Sequence, residues 1–234
     1  KRTAACPFDG VSFGLLHLAS SRSPSFLRLI WSTFNLCWRR SVFPKRLKHS
    51  FLMFIPKAGG QGWRPISLLP CLGKVFEDVI RVRLLKATSF PDFQFGFIPD
   101  RSTELCLLTR VEHVRRNPGL WSWLDMDLKN AFNHATLDAF LVGWDHLDPK
   151  PPEHLRQICV SYLRGRRVST SSCSFWVLNS VPQGGILSPL LFNVTLLAPL
   201  QELRCLLLNR EVSAYADDST VLTPGTSASD LLLR

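Results

Sequence analysis

The sequence predicts an α+β fold. Two kinds of segment support this: some carry apolar residues at helical spacing, and others alternate or run apolar between turn residues. Their order is the third observation, with helices first, then strand, helix, hairpin, helix and hairpin. After Gly73, KVFEDVIRVRLL sets Val75, Phe76, Val79 and Val82 at helical spacing. Thr103 and Glu104 open a second helix with Leu105, Leu108, Val111 and Val114 on one stripe. WSWLDMD, residues 121–127, alternates as a strand does; Leu137, Phe140, Leu141 and Trp144 behind it stand at i, i+3, i+4 and i+7. Residues 166–178 read as a β-hairpin turning at TSSC. Ser188 followed by Pro189 signals a helix cap and first turn, with the helix running to about Leu208. SAYA and STVL, on either side of Asp217–Asp218, read as two strands around a tight turn.

Composition narrows the class. With 46% hydrophobic and 20% charged residues, the 234-residue chain is globular and long enough for a substantial core. The net charge of +10 is uneven: residues 1–120 hold 19 Lys and Arg against 7 Asp and Glu, and residues 121–234 hold 9 against 11. A basic half beside a slightly acidic half suits a protein that holds phosphates with one part and cations with the other, or simply one with a solvated cationic surface. Seven scattered cysteines with no C-x-x-C spacing argue against a disulfide framework or a zinc site, and for an intracellular protein that is not secreted. Residues 168–201 carry no charge, yet Pro182, Pro189, Pro199, Asn179, Gln183 and Asn193 exclude a membrane span. The first residue is Lys1 and the last segment is SDLLLR, so the chain is expected to be a piece of a longer polypeptide.

The chemistry concentrates at AYADDSTVL, residues 214–222. Adjacent carboxylates between apolar strands repel and resist desolvation. A solvated hairpin tip is one explanation. A third acid, Asp127, ends the other apolar strand and favours a second. Carboxylates converging from two strands suit Mg²⁺, and two such ions would clamp the attacking and leaving oxygens of a phosphoryl displacement.

Five further stretches, in order, carry a resemblance. They are PFDGVSFGLL, FPKRLKHSFLMFIPKAGGQGWRPISLLPCLGKVFE, FQFGFIPDRSTE, LDMDLKNAF and VPQGGILSPLLFNV, followed by YADD. Together they resemble the reverse transcriptase of non-LTR, LINE-type retrotransposons. The resemblance implies a right-hand polymerase, with residues 1–120 mainly fingers and 121–234 mainly a ferredoxin-like palm with an antiparallel sheet. It implies that the C-terminal end of the palm and the thumb are absent. It further implies RNA-directed DNA synthesis from dNTPs, with an RNA template, a DNA primer and two Mg²⁺ ions (Mn²⁺ as a substitute). On this reading Asp127, Asp217 and Asp218 are catalytic and hold the metals. Asp127 is preferred to Asp125 because Phe132 follows it by five residues. Phe132 would be the gate that refuses a ribose 2′-hydroxyl. Lys57 and Arg64 would hold the triphosphate, and Gln183 the nucleotide pocket or template. Gly184, Arg101 and the cluster Arg164, Arg166 and Arg167 would contact nucleic acid. Other partners would be the rest of the same polyprotein, including an endonuclease and the thumb, with the nucleus and cytoplasm as location and no membrane.

Two departures stand out. Asn133 occupies the position where the family usually has Asp, and as a helix cap it would serve about as well. Asp100 stands where glycine is common. The alternative reading is a decayed or domesticated copy that grips RNA without polymerising. An RNA-copying RNA polymerase shares the metal logic but has no use for a bulky Phe132.

Overall fold

A computed structural model describes residues 6–7, 9–57, 59–60, 62–129, 131–178, 180–207 and 211–225. Two helices open it, α1 (Phe13–Arg22) and α2 (Pro24–Arg39). Their caps explain their starts: the hydroxyls of Ser12 and Ser23 accept from Leu15 N and Phe26 N, and Pro24 fills the first turn of α2. A 3-10 turn at Lys45–Lys48 leads into a hairpin of β1 (Ser50–Pro56) and β2 (Trp63–Leu68). This hairpin precedes the next helix, so the expected order of helices first does not hold. SFLMFIP is a short unbroken apolar run, which periodicity alone does not separate from a helix. Pro65 sits in β2 because β2 is an edge strand.

The chain continues through α3 (Cys71–Ala87), α4 (Thr103–Arg116), β3 (Leu120–Asp127), α5 (Ala131–His134), α6 (Leu137–Asp145) and α7 (Glu153–Leu163). After these come β4 (Arg166–Ser169), β5 (Ser174–Val177), α8 (Ser188–Leu206), β6 (Glu211–Tyr215) and β7 (Asp218–Gly225). The strands form two sheets, one ordered β2-β1-β4-β5 and one ordered β3-β7-β6. The first joins β1 to β4 in parallel at Ser50↔Val168, so it draws strands from both sides of residue 120. The second is antiparallel throughout.

The β4–β5 hairpin and α6 match the sequence expectation, with Phe140 and Trp144 of α6 fully buried. Two stripes are corrected. In α3 the buried residues are Cys71, Gly73, Phe76, Glu77, Ile80 and Leu84, leaving Val75 and Val82 exposed. In α4 only Cys106 is buried, and Leu105, Leu108 and Val111 face solvent. That helix lies on β6 by its polar side: Arg110 Nε donates to Ser213 Oγ at 2.7 Å. Two caps are corrected as well. Ser188 is the first helical residue rather than the cap of α8, and its hydroxyl lies 3.3 Å from that of Tyr162. Asn133 lies inside α5, while Thr136 caps α6 by accepting from Ala139 N.

The main core, built from Phe43, Phe76, Tyr162, Trp144 and Leu191 among others, takes Val212, Ala214 and Val221 from the antiparallel sheet. All seven cysteines are described and none is in a disulfide. Among the described residues no helix is long and apolar enough to cross a membrane.

Candidate functional site

The antiparallel sheet brings the acidic residues to one end. Asp127 is the last residue of β3, Asp218 the first of β7, and the two are register partners. Across β7, Asp218 also pairs with Tyr215, the last residue of β6. Ala216 and Asp217 are therefore the whole of the connecting turn. Ala216 has φ +58°, a conformation that costs a residue with a Cβ about 1–2 kcal/mol.

A neighbouring segment holds that turn in place. The backbone of Ala214 donates to Phe93 O and accepts from Phe95 N, both at 2.7 Å. Gly96, directly after Phe95, is packed so closely that a Cβ on it would collide with the backbone nitrogen of Ala216. Asn193 of α8 fixes Gly96 from the other side, its Nδ2 donating to Gly96 O at 2.6 Å. Gln94 returns a bond from Nε2 to Asn193 O at 2.9 Å.

The three acids differ from Asp125. The carboxylate of Asp125 accepts from Thr220 Oγ1 and from Trp123 Nε1, which ties it to the sheet. Asp127 and Asp218 are exposed and Asp217 is half-buried, and among the described residues none of the three takes part in an ion pair. The backbones are juxtaposed, but the carboxylates do not close into a cage. Among the described residues no three His, Cys, Asp or Glu side chains are grouped to hold a metal ion. The donor chemistry still fits a hard divalent cation: all three offer oxygen only, and register partners have Cα atoms about 4.5–5.5 Å apart.

Beside the turn opens a cleft of about 240 Å³. Its lining brings together five of the residues singled out in the sequence: Lys57, Arg64, Phe132, Gln183 and Asp217. Trp63 and Asn133 join them. Lys57 follows β1, and Arg64 lies across the hairpin in β2, opposite Ile55, so the hairpin sets both cations on one wall. Phe132 forms the floor, its ring stacked on Phe192 at 4.8 Å and 19°. Gln183 is placed by its backbone, whose carbonyl accepts from Ser67 N of β2 at 2.7 Å. Gly184 has φ +119°, and a Cβ there would lie 2.7 Å from Ser67 O. The glycine thus serves the approach of this loop to β2.

Two expected nucleic-acid contacts are engaged within the fold. Arg101 gives its guanidinium to the carbonyls of Phe90, Pro91 and Gln94. Arg166 is buried, and donates to Leu163 O and to both oxygens of Ser180. Arg164 and Arg167 are exposed. Asp100 has φ +61°, a backbone that Asp tolerates better than most residues, so it replaces the usual glycine without breaking the turn.

Comparison with known proteins decides the family. A family model described as "Reverse transcriptase (RNA-dependent DNA polymerase)" matches residues 55–234. The chain belongs to the reverse transcriptase family. Its curated relatives include RNA-directed DNA polymerases of Drosophila non-LTR retrotransposons. One is the "RNA-directed DNA polymerase from mobile element jockey" of Drosophila funebris, 32% identical over 216 residues, covering 82% of this chain and 23% of the relative. Another is the "Probable RNA-directed DNA polymerase from transposon BS" of Drosophila melanogaster, 29% identical over 203 residues, covering 80% of this chain and 22% of the relative. The chain thus spans less than a quarter of the length of these relatives. Among solved structures, an apo telomerase from Candida tropicalis, truncated from the C-terminal domain, aligns with TM-score 0.57 at 12% identity. The alignment covers 88% of this chain and 50% of that one, and shows a shared mixed α/β fold.

One residue of this reverse transcriptase chain escaped the sequence reading. Glu77 of α3 is buried, and its Oε2 accepts from Ile186 N at 2.6 Å and Leu187 N at 3.1 Å. Helix α8 has no side-chain cap of its own. Glu77 supplies one from a distant helix, and so fixes the loop that carries Gln183 and Gly184. Its signal in the sequence is a lone acid on an otherwise apolar face, between Phe76 and Ile80. Burial pushes its carboxyl up to about 7, against the pull of the two N–H donors, the Tyr162 hydroxyl and Lys74. A pKa raised on folding means that the native state favours the neutral form, so stability falls as pH rises from about 4.5 through about 7. Glu77→Gln removes this dependence. Urea midpoints at pH 5 and pH 8 should show wild type losing ground to the variant at the higher pH, and an unchanged gap would refute the assignment.

Proposed function

We propose that this chain is the nucleotidyl-transfer core of an RNA-directed DNA polymerase, taken from a longer retrotransposon protein. One observation carries the reading. Two cations, an aromatic ring, Gln183 and Asp217 line a single cleft, beside the strand ends where Asp127 and Asp218 are paired. In right-hand terms, residues 1–120 are mainly fingers and residues 121–234 mainly a ferredoxin-like palm.

Each group has a task that its chemistry suits. Arg64 and Lys57 receive the triphosphate, the guanidinium as a fork and the ammonium as a point charge. Gln183 faces the nucleotide or template from a loop fixed to β2. Asp127, Asp217 and Asp218 hold two Mg²⁺ or Mn²⁺ ions, which supply the charge that stabilises attacking and leaving oxygens when bound. The RNA template and DNA primer lie along the basic half, the rest of the polyprotein completes the machine, and the protein works inside the cell, in nucleus and cytoplasm.

Phe132 sets sugar selection. Its ring cannot retreat without leaving Phe192, so a ribose 2′-hydroxyl meets a wall. Phe132→Ala should raise the efficiency of rNTP relative to dNTP by roughly tenfold or more. The measurement is steady-state primer extension on poly-rA/oligo-dT with rUTP and with dTTP. Unchanged discrimination removes the gate. The same assay tests the function as a whole: a polypeptide containing this chain should incorporate dTTP with Mg²⁺. A second reading, an RNA-binding remnant, draws on Asn133 and on the carboxylates that do not close into a cage. Tight RNA binding without incorporation would select it.

A further inference from the structure

A second cavity, of about 540 Å³, lies between the 3-10 turn at Lys45–Lys48, α6 and α7. Four of its nine lining residues are cations, namely Lys45, Lys48, Arg156 and Arg164, and none is an acid. Gln157 and Ser161 add neutral hydrogen-bonding groups. The cations are built into the wall. Lys48 is only 5% exposed, and its ammonium donates to the carbonyls of Ser161 and Arg164. Arg156 pairs with Glu153 at 3.3 Å through one terminal nitrogen, while its Nε is buried without a hydrogen-bond partner. Lys45 and Arg164 are exposed at the rim. Burial is the main cause that brings Lys48 down to about 8, with repulsion from Arg166 and Lys45 adding to it.

We propose that this cavity is a second phosphate-binding site, which takes the backbone of a single nucleic-acid strand away from the nucleotide cleft. Strand β1 separates the two. Lys48 lies two residues before its start and Lys57 one residue after its end. The nine residue steps from Lys48 to Lys57 span at most about 30 Å at roughly 3.3 Å each. Even at a stacked spacing of about 3.4 Å, a strand of some twenty nucleotides exceeds that span. One strand is therefore long enough to engage both, and a repeating phosphate chain suits two basic sites better than a small anion suits either. The proposal does not depend on polymerisation, since a chain that only grips RNA would use the cavity equally.

The test is fluorescence anisotropy of the 234-residue chain with a labelled single-stranded RNA of about 20 nucleotides, titrated across salt. Lys45→Gln/Arg164→Gln removes two rim charges. Lys150→Gln/Arg204→Gln removes two exposed charges from residues 121–234, outside the basic half, as the control. The expected result is weaker binding by the first variant, with the slope of log K against log salt shallower by about 1.4, and a control slope like that of wild type. Equal loss in both variants, or none in the first, overturns the site. Displacement of the RNA by millimolar inorganic phosphate at constant ionic strength overturns the strand assignment in favour of a small anion. Since the readout is binding, a failed primer extension leaves this result standing, and the converse also holds.

Discussion

Asp217→Ala lowers nucleotide incorporation by roughly three orders of magnitude or more, and leaves the stability of the chain within about 0.5 kcal/mol of the parent. The two halves of this expectation have different causes. Asp217 occupies a two-residue turn, takes part in no ion pair among the described residues, and adjoins the like charge of Asp218. Removing a half-buried turn carboxylate therefore deletes repulsion and little packing. Its catalytic share is another matter. Asp217 is the acid that lines the cleft together with Phe132 and Arg64, and on the proposed function it would hold there the divalent cation that answers the negative charge developing at the transferring phosphate. Primer extension and thermal melting of the same preparations separate these effects. Incorporation by Asp217→Ala at the parental rate would falsify the metal assignment.

Gly96→Ala is the second large effect, and here the fold is the cause. The added methyl group collides with the backbone nitrogen of Ala216. Gly96 has no room to withdraw, since Asn193 grips its carbonyl and residues 93–95 are bonded to β6. The turn must move instead, and it carries Asp217. Overpacking of this kind costs about 1–3 kcal/mol of stability. Displacement of a catalytic group by about 1 Å costs on the order of a hundredfold in rate. The expected pattern is a modest drop in melting temperature and a fall in kcat with KM for dTTP little changed, because Lys57 and Arg64 lie on the other hairpin. Parental kcat for Gly96→Ala would show that the turn tolerates the shift.

The sequence disclosed the parts of this fold that local rules govern. The YADD turn, the TSSC hairpin and the buried face of α6 rest on turn residues and on spacing within a single element, and they were legible. Helix faces were less so. In α4 the apolar stripe Leu105, Leu108 and Val111 is exposed while Cys106 and Arg110 meet β6, because what lies across from a helix is a tertiary fact. The same limit hid the roles of arginines. Arg101 and Arg166 look like phosphate contacts in a basic stretch, yet the carbonyls of Phe90, Pro91 and Gln94 take the first guanidinium and those of Leu163 and Ser180 the second. For Glu77 the sequence shows only an acid on an apolar face, and its partners Ile186 and Leu187 lie more than a hundred residues away. The cleft residues were readable through ordered motifs, and periodicity alone does not join Lys57 to Phe132.

The strand that ends in Asp127 has a consequence for handling the protein. Among the described residues β3 pairs only with β7, so its outer flank presents unpaired amides and carbonyls. Along it Leu120, Trp123 and Leu124 are exposed. A greasy open rim of this kind recruits whatever strand it meets, including another copy of itself. Aggregation on expression should therefore begin at the very edge that ends in Asp127, and a charged residue at Leu124 is the natural place to blunt it.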